Sequence, residues 1–177
     1  MISHMAWFER EFALGLPDWM FPNVLERLRG TPARAELLLR GLPPEVLTWR
    51  DGERWSMQEH VGHLLDLGWL DLARAEDFAA GRDPLTAADL RNRKTHEANH
   101  NARPLAELLA EFQAERAGLV RRLEEFDEAT VARAALHPRL NKSMRVVDWL
   151  FFVAEHDDHH LAAVRALARK FGQEVGR

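Results

Sequence analysis

From Pro104 onward the chain carries apolar residues at Leu105, Leu108, Leu109, Phe112, Leu119, Val120, Leu123 and Phe126. That i, i+3, i+4, i+7 recurrence is the period of an amphipathic helix, whereas strand side chains alternate. The stripe has one vacancy, at its centre, filled by Arg116. A guanidinium there either pairs with a buried carboxylate or binds an anionic group of a substrate or cofactor, because an unpaired buried charge is costly. Both readings stay open, and Arg116 is the candidate cofactor-binding residue.

Three further segments share the helical period. The first, roughly Phe21 to Leu39, carries Leu25, Leu28, Leu37, Leu38 and Leu39. Thr31-Pro32 in its middle reads as an N-cap followed by proline at the first helical position, which predicts a break or restart there. The second opens with Ser56 and Glu59 at capping-box spacing and runs through Val61, Leu64, Leu65, Gly68 and Leu72 to about Ala80. The fourth, from about Ser143 to Lys170, presents Trp149, Phe152, Val153, Ala163, Val164 and Leu167 on one face. A polar connection between Pro84 and Arg103 is either a functional loop or the cover for a short helix. No alternating strand pattern stands out. Four long amphipathic helices with one long crossover describe an all-α four-helix bundle, in which sites are built from inward-pointing side chains. The 177 residues are expected to form a single domain, with residues 1–20 as an N-terminal extension.

The chain has nine histidines and no cysteine. Without cysteine there are no disulfides, iron–sulfur clusters, thiolate zinc sites or protein-borne thiol nucleophiles. Imidazole is left as the obvious metal ligand or acid–base group. With 24 Lys+Arg against 28 Asp+Glu the formal net charge is −4, which argues against a nucleic-acid-binding surface. No stretch approaches the ~20 uninterrupted apolar residues needed to span a bilayer. Met1 to Trp7 lacks the pattern of a secretory signal, so a cytoplasmic location is expected. Ser3-His4-Met5 reads as a cloning remnant, and His4 is set aside.

His156 and His160 lie one turn apart, about 40° around the helix axis, in the middle of the fourth apolar stripe. A shared metal ion explains two buried imidazoles at that spacing; the alternative is a pair of core histidines hydrogen-bonded to neighbours. Asp157, Asp158 and His159 lie at the edge of the stripe or beyond it and are expected to be exposed or to support the ligands. A third ligand should come from the second helix, where periodicity leaves both His60 and His63 open; a staple contact with Trp55 gives His60 a structural role. His96-Glu97-Ala98-Asn99-His100 matches the H-E-x-x-H pattern of zinc proteases, but its polar flanks supply no apolar face to bury a helix. A ferritin-like di-iron site fails too, because it needs two Glu-x-x-His motifs. These residues are expected at most to line the mouth of a site.

Trp55-Ser56-x-x-Glu59-x-x-x-His63-Leu64 and His156-Asp157-x-x-His160, with Leu28-Arg29-Gly30-Thr31-Pro32, Gly41-Leu42 and His137-Pro138 in the same order, resemble the DinB/YfiT-like family. The resemblance implies an up-down-down-up bundle, often a homodimer, with one divalent metal on three histidines. Carried over, those are His63, His156 and His160. The metal implied is zinc or nickel first, with iron, cobalt or manganese as alternatives. The resemblance further implies a metal-dependent transferase using a low-molecular-weight thiol as cosubstrate on a small-molecule substrate. The absent cysteine fits, since the thiol then arrives from outside the chain. The alternatives are a metal-dependent hydrolase that activates water and a non-enzymatic metal-binding bundle. No residue is assigned as catalytic acid or base.

Overall fold

The computed structural model describes residues 5–175; Ser3 and His4 lie outside them. The first long helix is interrupted as the Thr31-Pro32 pair predicts, into α1 (Phe21–Arg29) and α2 (Thr31–Leu39), with Gly30 between. Thr31 is not the cap, however: it is the first helical residue, and its hydroxyl donates to Asp157 at 2.8 Å. A short α3 (Pro44–Leu47) follows. The second long helix comprises α4 (Met57–Asp66) and α5 (Gly68–Ala80), interrupted at Leu67 and closed by Gly81 at φ 67°. Its capping box forms: Ser56 Oγ accepts from Glu59 N–H at 3.1 Å, and Ser56 N–H donates to the Glu59 carboxylate at 2.8 Å.

The polar connection does contain a short helix, α6 (Arg93–Glu97), followed by a 3-10 turn, His100–Ala102. Then come α7 (Leu105–Glu124), α8 (Glu128–Val131) and α9 (Val146–Val175). An antiparallel hairpin, β1 (Ala134–His137) with β2 (Lys142–Arg145), precedes α9. The sequence did not announce it because four-residue strands are too short for a period-two pattern to stand out. The same hairpin delays the start of the fourth helix from Ser143 to Val146.

Cross-helix pairs establish the direction of each rod. Arg27 and Arg34 on the first rod both reach Asp158, and along the same direction Asp148 accepts from Gly15 N–H and Leu16 N–H. The first and fourth rods therefore run parallel. On the second rod His60 meets His160 and Phe78 meets Trp149, so it runs against the fourth. Gln58 reaches the Arg103 carbonyl and Glu76 pairs with Arg122, so the second and third run together. The order is up-down-down-up. The first and second rods each pack on the third and fourth. Among the described residues no helix is long and apolar enough to cross a membrane.

The core has two apolar clusters, one around Leu28, Phe78, Leu123 and Trp149, the other around Leu39, Val61, Phe112 and Val164. Between them on every long rod stands a polar side chain: Thr31, His63, Arg116, and His156, Asp157 and His160. This polar layer locates the site.

Candidate metal centre

His63 occupies α4 two turns inside the cap, and His156 and His160 occupy successive turns of α9, which α4 packs against. One ring nitrogen from each lies within 4.8 Å of the others. The His156 and His160 Nε2 atoms are 3.1 Å apart. Two imidazoles sharing a tetrahedral ion with bonds of about 2.0–2.1 Å would stand about 3.3 Å apart. His63 and His160 are buried and His156 is half-buried.

The far edges of two of the rings are held. His63 Nδ1 lies 3.0 Å from Thr95 Oγ1, where an N–H can donate to the hydroxyl and leave Nε2 facing the cluster. His160 Nδ1 lies 2.8 Å from His60 Nδ1, one ring donating to the other. Such contacts fix the tautomer and orientation of metal-binding imidazoles. Periodicity leaves His60 and His63 tied; the structure puts His63 in the cluster and His60 behind His160. The staple contact also forms, with the Trp55 and His60 rings 5.7 Å apart. Trp55 reaches further, to 4.7 Å from His63, while Trp7 lies 4.8 Å from His156. Two indoles thus flank the imidazoles.

Burial dominates their protonation. It pushes His63 down to about 3, with Asp66 opposing, and drives His156 and His160 well below the ordinary imidazole range, with neighbouring rings adding to the effect. All three are neutral at pH 7, which is the state a metal ligand requires.

The H-E-x-x-H residues do not share a helix face. His96 is in α6, whereas His100 belongs to the separate 3-10 turn and is buried against α4, Nε2 2.8 Å from Asp66 Oδ2. That ring sits on Gly62, where a Cβ would come within 2.3 Å of it. The motif therefore serves to dock the crossover, with Thr95 one residue before His96 reaching His63.

Asp157 departs from the expectation that it faces outward. It is buried, accepting from both Arg116 terminal nitrogens at 2.7 and 3.2 Å and from Thr31. Asp158 does lie toward the surface, paired with Arg27 and Arg34. Arg116 also borders the cavity described next, and among the described residues its Nε has no hydrogen-bond partner.

The cluster opens on a cavity of about 320 Å³. Leu64, Leu70, Phe152 and Val153 supply apolar wall, while Asp71, Arg74, His137 and Arg139 supply polar wall. Sequence reasoning passed over Asp71, Arg74 and Arg139, and took His137 only as part of the His137-Pro138 step before the last helix. Burial pushes Asp71 up to about 7, against Arg116 and helped by Asp157 and Glu115. An acidic residue on the apolar side of a helix was the available signal.

In structure the chain is similar to YfiT from Bacillus subtilis, described as a probable metal-dependent hydrolase with an unusual four-helix bundle topology. The TM-score is 0.78 at 18% identity, covering 93% of this chain and 94% of that one. It is also similar to the mycothiol-dependent maleylpyruvate isomerase, at TM-score 0.64 and 12% identity over 83% of this chain and 60% of that one. At such identities the likeness concerns the fold. No curated protein matches the chain in sequence. The family model of the DinB superfamily matches residues 27–164, a span holding His63, His156, His160 and Arg116. The chain belongs to the DinB superfamily.

Proposed function

We propose that His63, His156 and His160 hold one divalent cation and that the protein is a metal-dependent transferase joining a low-molecular-weight thiol to a small electrophile. The observation that carries this reading is the convergence of three neutral, mostly buried imidazoles on one cavity of mixed apolar and polar wall in a chain without cysteine. The donor set fits a borderline ion such as zinc or nickel, since it offers nitrogen and neither thiolate nor carboxylate. Three ligands leave open positions. A divalent ion bound there supplies a Lewis acid that lowers the pKa of a coordinated thiol or water.

The surrounding residues divide the remaining work. Thr95 and His60 orient the His63 and His160 rings. Trp7 and Trp55 shield the rings from bulk water. Asp71, pushed up to about 7 at the cavity wall, can hold or release a proton near neutral pH. Arg116, for which the sequence leaves a buried carboxylate or an anionic ligand open, holds Asp157, one residue from His156, with its terminal nitrogens; among the described residues its Nε has no partner.

A metal-dependent hydrolase is the second reading, supported by the likeness to YfiT along nearly the whole of both chains. The metal-loaded protein incubated with a thiol and an alkyl or aryl halide should consume both in a metal-dependent way. Cleavage of an ester in the absence of thiol would replace transfer by hydrolysis.

A further inference from the structure

Among the described residues, two guanidiniums at the cavity wall are hydrogen-bonded to no carboxylate. Arg74, on α5, is 3% exposed; its Nε donates to the Thr86 carbonyl at 2.9 Å. Asp71 and Asp77 are near enough to influence it, but neither is hydrogen-bonded to it. Arg139, in the hairpin turn, lies over the rings of Trp7, Phe8 and Phe152 at 5.2–5.7 Å, and its Nη2 is buried without a hydrogen-bond partner. Among the described residues no carboxylate offsets its burial. The two arginines repel each other, and both bear on His137.

His137 is 1% exposed. Its Nδ1 accepts from Leu140 N–H at 3.3 Å, so the proton of the neutral ring sits on Nε2, which is buried and unpartnered. All three side chains line the same cavity as the histidine cluster. Among the described residues the Arg139 Nη2 and His137 Nε2 donors are buried without an acceptor, beside the charge of Arg74, which is expensive in a low-dielectric interior unless an anion completes the group.

We propose that Arg74, Arg139 and His137 form a receptor for the carboxylate of a small organic acid, which extends its apolar body along Leu64, Leu70 and Phe152 toward the histidine cluster. Planar guanidinium forks match a carboxylate. A phosphate dianion is less well served, because His137 adds no charge and Asp71 stands on the same wall. The inference names the substrate class of the proposed metal site and rests on that reading only for the reaction, not for the binding.

The test uses benzoate, benzamide and inorganic phosphate, titrated calorimetrically into the full chain with its metal and after metal removal. Benzoate should bind both forms at least tenfold more tightly than benzamide or phosphate. Arg139→Gln should weaken benzoate at least tenfold and leave the metal content unchanged. Arg139 is half-buried and makes no backbone hydrogen bond, so this variant is the one expected to fold, with circular dichroism as the check. Equal binding of benzamide, a preference for phosphate, or undiminished benzoate affinity in Arg139→Gln overturns the proposal. So does benzoate binding confined to the metal-loaded form, which would put the carboxylate on the ion. A chain that takes up no metal yet binds benzoate through Arg139 would sink the metal reading and leave this one standing.

Discussion

The Arg116 guanidinium straddles the Asp157 carboxylate, Nη1 2.7 Å from Oδ2 and Nη2 3.2 Å from Oδ1, with both side chains buried. The pair ties α7 to α9 at the level of the histidine cluster, since Asp157 lies between His156 and His160 in sequence. Removing one partner strands the other charge in the core. Asp157→Asn or Arg116→Met should each cost about 3–5 kcal/mol in urea unfolding. The double variant Arg116→Met/Asp157→Leu should recover a large part of that loss. Equal losses in single and double variants would show that packing, not charge, is what the pair supplies.

Thr95 and His60 touch the His63 and His160 rings without joining the cluster. Thr95→Val and His60→Phe should each weaken metal affinity about 10–100-fold while leaving the stoichiometry intact. Competition with a chromophoric chelator reads this directly. Unchanged affinity in both would mean that packing alone orients His63 and His160.

The acid sensitivity of the metal-free chain follows from its buried histidines and from Asp71. His63 and His137 are each lowered from 6.5 to about 3, chiefly by burial. Between those values the unfolded chain holds more protons, so each histidine's contribution is fully present above about 6.5 and falls by about 1.4 kcal/mol per pH unit on acidification. Asp71 runs the other way. Raised from 3.8 to about 7, it binds its proton more tightly when folded, so its contribution is greatest at acid pH and declines as pH rises through that window. Burial lowers His156 and His160 in the same direction as His63 and His137, so one carboxyl group offsets only one of four histidines. Stability should therefore fall from pH 7 to pH 5, and more steeply in Asp71→Asn. An identical slope in the variant would contradict the assignment.

Gly62 leaves room for the His100 ring, which a Cβ would meet at 2.3 Å while Nε2 is held on Asp66. Gly62→Ala should destabilise by about 1–3 kcal/mol through overpacking. His100→Ala in the same background should relieve most of the clash. Additive losses measured by thermal unfolding would argue against it.

The bundle was legible because its long rods carry strong periodicity and explicit stop and start signals, the Ser56–Glu59 box above all. The histidine cluster was half legible. His156 and His160 follow from spacing, but the wheel places His60 inside the apolar arc and His63 at its edge, and packing brings the edge residue to the cluster. Asp157 was misplaced because a single-stripe wheel assumes one buried face. α9 is covered by α1, α2 and α4 and reached by Arg116 of α7, so Asp157 is buried on a face the wheel assigned to solvent. Trp7, Thr95, His137 and Arg139 come from the N-terminal segment, the crossover and the hairpin. Nothing local in those stretches says where tertiary packing will carry them. Trp55 and Trp7 are the indoles beside the rings.

The central claim is a single ion on His63, His156 and His160. The most direct measurement is elemental analysis of the purified chain after saturation and gel filtration, run beside His63→Ala, His156→Ala and His160→Ala. The account predicts about one divalent ion per chain in the parent protein and loss of that ion in each variant, with folding retained by circular dichroism. A full complement of metal in a folded His156→Ala protein would contradict it.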